Sequence, residues 1–368
     1  MFISELQKYN WDQIENEIKA KTENDVLRAL NTEKANLEDF KALISPAAKP
    51  YLEQMASLSN KLTQKRFGKT TQLFIPLYLT NVCENLCVYC GFNHENKIKR
   101  IVLNKEQILK EVEVIKSYGF EHILLVTGEA PKVAGVDYLM EVIKLIKPYF
   151  SQISIEVQPM DQKDYEKLIS VGLNSVYVYQ ETYHQQNYTK YHLKGKKSNF
   201  DYRLHTPDRL GKAGIHKIGL GTLIGLEEWR TDAFFTALHL SYLEKRYWQT
   251  KYCISLPRLR PHIGGFQANY PITDRELLQL ICAYRIFNHE LEISISVRES
   301  IKFRDNIVKL GVTNFSAGSK TEPGGYANNT EALEQFEVHD NRTPQEVAKM
   351  IQKSGYDPIW KDWDYCLQ

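Results

Sequence analysis

The sequence predicts an α/β protein in which eight strands alternate with helices and close into a TIM-type (β/α) barrel, flanked by an N-terminal helical extension and a C-terminal helical cap. Three observations predict this fold. Eight apolar, β-rich runs recur with helix-patterned stretches between them. Their apolar character is nearly continuous, as in Ile123-Leu124-Leu125-Val126, which fits strands covered on both faces in a parallel sheet. A chain of 368 residues also leaves room for a barrel of about 250 residues with segments at either end.

Residues 1–70 carry helical periodicity, clearest over 11–67, and no strand-like run, so they are expected to pack on the barrel as an extension. The barrel is expected over 71–328, with strands at 73–82, 122–128, 153–159, 175–182, 217–225, 252–257, 291–297 and 312–316. Asn104 with Gln107, Thr273 with Glu276, and Thr343 with Pro344 and Glu346 read as helix starts. Gly119, Gly172, Gly214 and Gly311 fall where helices should end, shortly before the next strand. Residues 329–368 are expected to form the helical cap.

Composition narrows the function classes. With 47 basic and 45 acidic residues the net charge is +2, which implies neither nucleic acid nor an anionic membrane surface as partner. The start Met1-Phe2-Ile3-Ser4-Glu5 lacks the basic and apolar regions of a secretory leader. No stretch reaches the roughly 18 apolar residues of a membrane span. Six cysteines, three of them clustered, fit a reducing, cytoplasmic setting better than a disulfide framework. Cys253, Cys282 and Cys366 stand alone and read as structural.

The clustered three are the most informative residues of the chain. Cys83, Cys87 and Cys90 form a CxxxCxxC motif directly after the first strand-like run. Three thiolates at this spacing can hold a cuboidal iron-sulfur cluster and leave one of its four irons open. A structural zinc site is the competing reading, and it would need His94 as a cramped fourth ligand. Buried core cysteines are a further alternative, which the polar neighbours Asn81, Glu84 and Asn85 disfavour.

Other polar residues fall where strands should end, the face on which barrel enzymes assemble their sites. Thr127-Gly128-Glu129 ends the second run, Glu156-Val157-Gln158-Pro159 the third and Tyr179-Gln180-Glu181-Thr182 the fourth. Arg258 and Arg260 follow the sixth, and Ser294, Ser296 and Arg298 lie on the seventh. Desolvated charges there need partners, and a charged ligand is expected to supply them.

The CxxxCx(aromatic)C pattern, with Tyr89 as its aromatic residue, resembles that of the radical S-adenosylmethionine (SAM) enzymes. Thr127-Gly128-Glu129 is similar to that family's glycine-glycine-glutamate turn, with Thr127 as the departure, and 221–228 is similar to its strand-five pattern. Within the family the chain resembles the tyrosine lyases of thiamine biosynthesis over nearly its whole length. The stretches that carry this are Cys90-Gly91-Phe92 with 97–100, 178–184, 192–197, 206–209, 257–260 and 361–363.

The resemblance implies that Cys83, Cys87 and Cys90 ligate a 4Fe-4S cluster whose open iron takes the methionyl end of SAM. It implies that the backbone beside Tyr89 and Phe92 meets the adenine, and that the turn of Thr127, Gly128 and Glu129 receives the methionyl ammonium. Glu181 would serve the ribose and Arg203 the methionyl carboxylate; the competing reading of Arg203 is an exposed arginine, and Arg209 lies about one and a half helical turns away. The implied substrate is free L-tyrosine, its carboxylate held by Ser296 and Arg298, which share one strand face. The competing structural reading pairs Arg298 with Glu299. The implied products are 2-iminoacetate and p-cresol, with 5′-deoxyadenosine and methionine. A flavodoxin or ferredoxin would donate electrons, and a thiazole synthase would take the imine.

Two rival functions remain beside this one. A related tyrosine lyase makes diatomic ligands for a hydrogenase cofactor and carries further cluster cysteines in a C-terminal extension, whereas this sequence ends at Gln368 with only Cys366 nearby. A non-catalytic iron-sulfur carrier would explain the cysteines but not the charged strand ends. Lys194, Lys196 and Lys197 read as a solvated basic loop, 323–326 as a turn or a close backbone approach to ligand, and the 22 tyrosines as ordinary core and surface residues.

Overall fold

The structure, a computed structural model, describes residues 1–361. Asp362, Trp363 and Cys366 lie outside the described residues. Eight parallel strands form the barrel: β1 Thr70–Thr80, β2 His122–Thr127, β3 Gln152–Glu156, β4 Ser175–Tyr177, β5 Lys217–Gly221, β6 Lys251–Ser255, β7 Glu292–Ile295 and β8 Asn314–Ser316. Pairing of Gln72, Leu73 and Phe74 with Asn314, Phe315 and Ser316 closes β8 onto β1. Helices fill each crossover, as the alternating pattern predicts.

The expected runs are all strands, but most leave the sheet earlier than their apolar character suggested. Strand β4 stops at Tyr177, so that 178–182 forms the mouth. Strand β1 breaks register with β2 between Tyr78 and Thr80, an irregularity of the kind that re-aims a chain at a barrel rim. The expected capping boxes at Asn104/Gln107, Thr273/Glu276 and Thr343/Glu346 are present, and Gly119, Gly172, Gly214 and Gly311 have positive φ. At the base of the barrel Lys217 pairs with Glu292 at 2.8 Å, and Asn314 donates to both Gln72 (3.2 Å) and Glu292 (3.1 Å).

The N-terminal helices Trp11–Lys19, Glu23–Asn31, Leu37–Ile44 and Leu52–Phe67 bury Ile14, Ile18, Val26, Phe40 and Met55. Gln279 donates to the carbonyls of Leu43 (2.9 Å) and Ser45 (2.8 Å), and Arg230 to that of Ile44 (2.9 Å). These bonds bind the extension to the outer helices Trp229–Arg246 and Asp274–Phe287.

After β8 the chain returns across the mouth before its last helix, Pro344–Lys353. Beside that helix, the segment expected as a helical cap also holds Asp357–Ile359, which adds a ninth strand to the sheet, β9, parallel to Thr70–Gln72. The reason is geometric: β2 begins pairing with β1 only at Ile75, which leaves the first residues of β1 open for another strand. Around 323–328 the chain is a structural turn. The buried Glu111 carboxylate accepts the backbone N–H groups of Tyr326 (3.0 Å), Ala327 (2.8 Å) and Asn328 (3.0 Å) and the Asn328 side-chain amide (2.7 Å). Arg304 and Asp340, both fully buried, pair beneath the same segment.

Glu111 is therefore the clasp between the barrel wall and the crossing segment. Glu111→Ala leaves these donors without an acceptor, and we expect a loss of about 3 kcal/mol, read as a fall of several degrees in the midpoint of thermal unfolding. An unchanged midpoint would show that the segment is held elsewhere.

Candidate active site

The cysteine loop is shaped by Arg100. Its guanidinium donates to the carbonyls of Asn81 (2.7 Å), Phe92 (2.9 Å), Asn93 (2.6 Å) and Asn96 (3.1 Å), gathering a polar loop that has no regular ladder of its own. Buried Asn81 takes part from the strand end, donating to Lys99 O at 2.8 Å and accepting from Ile101 N at 2.8 Å. Leu86–Cys87 pairs antiparallel with His192–Lys194, which draws the segment after β4 over the loop.

Gly128 brings the end of β2 against this loop. Its N–H donates to Thr80 O at 2.9 Å, and a Cβ at this position would lie 2.1 Å from Val82 O. Only a residue without a side chain allows that approach, and Glu129, next in sequence, accepts from Glu84 N at 2.9 Å through its own carbonyl.

Cys83, Cys87 and Cys90 line one cavity of about 230 Å3 that runs down the barrel from its mouth. Among the described residues no three His, Cys, Asp or Glu side chains converge as the ligands of a single ion do. A cubane does not ask for that, since each thiolate binds a different iron. Burial pushes the Cys83 thiol up to about 11 and Cys87 higher still. Ligation requires thiolates, and bound iron supplies the positive charge that such buried thiolates need. Thr127 adds a buried hydroxyl with no hydrogen-bond partner among the described residues, also on the cavity wall. The donor set and this free polar atom fit a cluster with a polar ligand beside it.

Next to the thiols lie two acids and two bases. Arg203 Nη1 meets Glu129 Oε1 at 2.8 Å, and Lys197 Nζ meets Glu181 Oε1 at 2.7 Å. Longer contacts of 3.6 Å (Arg203 to Glu181) and 3.9 Å (Lys197 to Glu129) complete the square. Asn85 donates to the other Glu129 oxygen at 2.8 Å. Burial alone would raise both carboxyls, but the guanidinium and ammonium beside them hold both below the usual carboxylate range. Lys197 is raised through the same attractions despite its own burial.

Lys197 corrects an expectation. Lys194 and Lys196 are exposed as a solvated loop should be, whereas the Lys197 side chain is only 12% exposed and ion-paired. Arg203 rather than Arg209 enters the site. Arg209 instead donates to Met160 O (2.8 Å) and Tyr202 O (2.8 Å) and lies over the Tyr202 ring. Glu181 has a φ of +71°, a strained conformation for a residue with a side chain. Buried Asp232 imposes it by accepting from Thr182 Oγ1 (3.1 Å) and Tyr183 N (2.7 Å). Tyr89 donates its hydroxyl toward His192 Nε2 at 2.7 Å, and Phe92 packs edge-on against Tyr78. Both rings line the cavity.

Across the cavity stand Ser296 and Arg298. Arg298 packs 3.3 Å above the Phe336 ring, and its guanidinium makes a long 3.4 Å bond to Arg258 O. Glu299, its partner in the competing structural reading, pairs instead with Arg258 and Arg260. The expectation that Arg258 and Arg260 await a charged ligand is thereby corrected, while Arg298 forms no ion pair among the described residues. Sequence reasoning placed Glu156 at a strand end without a role. In the structure it faces this cavity, its carboxyl pushed up to about 7 by burial and then by Glu181. Its signal was an acidic residue in the same alternate register as Gln152 and Ser154, which also line the cavity.

Residues 77–235 match the Radical SAM superfamily, and residues 255–357 match the Biotin and Thiamin Synthesis associated domain. The chain is 48% identical over its full length to the 2-iminoacetate synthase of Escherichia coli K12, covering 97% of it, and equally to that of Salmonella typhimurium LT2. Among solved structures, HydG, a maturase of the FeFe-hydrogenase, superposes with a TM-score of 0.90 at 30% identity, over 95% of this chain and 80% of HydG. Methylornithine synthase (PylB), at a TM-score of 0.73 and 21% identity over 91% of this chain and 97% of its own, shares the fold. A closed barrel with three thiols at its mouth, matched end to end by such relatives, has one conclusion: the chain belongs to the radical SAM superfamily, whose members use a 4Fe-4S cluster and S-adenosylmethionine, and within it to the family of the 2-iminoacetate synthases.

Proposed function

We propose that the chain cleaves the Cα–Cβ bond of L-tyrosine to 2-iminoacetate and p-cresol for thiazole formation in thiamine biosynthesis. The observation that carries this reading is Arg298, which forms no ion pair among the described residues, with Ser296 two residues before it, in the same cavity as Cys83, Cys87 and Cys90. When bound, the cluster and SAM supply hydrogen-atom abstraction from an unactivated substrate bond. The three cysteines hold the cluster. The square of Glu129, Glu181, Lys197 and Arg203 suits the zwitterionic methionyl end and the ribose of SAM, with acids for the ammonium and hydroxyls and bases for the carboxylate.

Arg298 and Ser296 receive the substrate carboxylate. Glu156 faces Arg298 across the cavity, close enough for the two to perturb each other but outside ion-pair contact, a gap suited to an α-amino acid whose ammonium Glu156 accepts. Tyr78, Tyr177, Tyr179, Glu181 and Lys197 also interact with Glu156. The closed wall and the crossing segment exclude water from the reacting bond.

No helix among the described residues is long and apolar enough to cross a membrane, and a cytoplasmic site of action fits that. A flavodoxin or ferredoxin donates the electron, and a thiazole synthase takes the readily hydrolysed imine. The likeness to HydG favours a second reading, a tyrosine lyase serving hydrogenase maturation.

Anaerobically reconstituted protein given SAM, tyrosine and dithionite is expected to release 5′-deoxyadenosine and p-cresol. An intact cluster that yields neither would refute the reading, and carbon monoxide or cyanide in the same mixture would move it to the second. Arg298→Lys keeps the charge but loses the fork geometry, and we expect KM for tyrosine to rise about tenfold or more, an interaction of about 1.4 kcal/mol, with SAM binding unchanged.

The raised Glu156 carboxyl keeps a proton that the unfolded chain has released. Its contribution to stability is therefore full below about pH 4.5 and falls as pH rises toward about 7. Glu156→Gln should flatten that dependence in thermal unfolding and raise KM for tyrosine most above neutral pH, where the native carboxylate is charged. A parallel KM profile for wild type and variant would exclude the assigned role.

A further inference from the structure

The segment that crosses the mouth between β8 and the helix Pro344–Lys353 reaches the cysteine motif through Gln335, and every polar group of that residue is engaged. Its backbone N–H donates to Thr321 O at 3.1 Å, and its carbonyl accepts from Gly91 N at 3.2 Å. Its side-chain oxygen accepts from the Tyr78 hydroxyl at 2.9 Å, and its Nε2 reaches Cys90 Sγ at 3.6 Å. Gly91 permits the approach, since a Cβ there would lie 2.6 Å from Gln335 O.

The direction of the amide follows from the chemistry of its two neighbours. A cysteine that ligates iron is a thiolate, an acceptor only, and an amide oxygen turned toward it would be repelled. The Tyr78 hydroxyl, buried and kept protonated, has a proton to donate to that oxygen. The two contacts select the same orientation, with the N–H groups toward sulfur.

We propose that Gln335 donates an N–H···S hydrogen bond to the Cys90 thiolate and thereby raises the reduction potential of the cluster. Reduction adds negative charge to the iron-sulfur core, and a donor aimed at a ligand sulfur stabilises the more negative state. The bond eases entry of the single electron the cluster must accept, at the expense of some driving force for passing it on. Gln335 touches no reacting atom and is a positioning residue, held in turn by Tyr78 and Gly91. The proposal rests on the cluster assignment and is independent of the substrate.

The test is the midpoint potential of the reconstituted cluster, titrated electrochemically and read by electron paramagnetic resonance without tyrosine. Gln335→Leu should shift it downward, so that at a fixed poise the ratio of reduced to oxidised cluster falls about tenfold, equivalent to about 59 mV for one electron. Tyr78→Phe keeps the glutamine but releases its oxygen, and a smaller shift in the same direction is expected. If Gln335 merely ties the segment down, Gln335→Leu lowers the unfolding temperature and leaves the potential where it was, which overturns the proposal. Should that variant fail to retain iron, Tyr78→Phe decides, and an unchanged potential there overturns the proposal equally.

Discussion

Two acids and two bases sealed at the mouth of a closed barrel have chiefly one another to neutralise them, and the architecture of the mouth follows from that need. Glu129 arrives from the end of β2, Glu181 from the end of β4, Lys197 from the loop beyond the short ribbon, and Arg203 from the helix Phe200–Leu204. No two come from the same element, so the ion pairs also cross-link the rim. Removing one member leaves an opposite charge buried without compensation, which is costlier than losing an exposed pair. The strain at Glu181 persists because Asp232 fixes the residues immediately after it.

The barrel supplies the stiffness that such a network requires. Each strand is paired on both sides, so the positions from which these side chains depart cannot drift independently. Close backbone approaches then do what side chains would prevent. Gly128 lets the second strand end lie against the cysteine loop, and Gly91 lets the segment after β8 do the same from the other side. The three thiols are thus enclosed from two directions by parts of the chain more than 200 residues apart, and burial makes their ionisation dependent on a positively charged occupant.

Opposite this self-neutralised square, the cavity keeps charges that do not neutralise each other. Among the described residues, Arg298 rests on Phe336 without a carboxylate, and Glu156 has a perturbed carboxyl without a base in contact. The contrast divides the cavity into a region organised in advance beside the cysteines and a region still open to a small zwitterion, the division that a cofactor beside a substrate calls for.

Much of this is legible in the order of residues, and the reason is that it is local. The period of apolar runs, the capping boxes and helix-ending glycines, and the spacing of Cys83, Cys87 and Cys90 each involve residues a few positions apart, so the barrel and its cysteine loop can be read directly. The strand-end rule then puts Glu129, Glu181, Ser296 and Arg298 at the mouth. Partner choice is another matter, because it depends on which distant groups the closed barrel sets face to face. Nothing near Lys197 distinguishes it from Lys194 or Lys196, nothing near Arg203 favours it over Arg209, and only folding assigns Glu299 to Arg258 and Arg260 and leaves Arg298 free. The same holds for Gln335 beside Cys90 and for β9 beside β1. The sequence by itself determined the elements and the chemical type of the centre, since short-range periodicity and spacing encode them; tertiary structure alone decided which charges are satisfied and which remain for a ligand, since that depends on pairings across hundreds of residues.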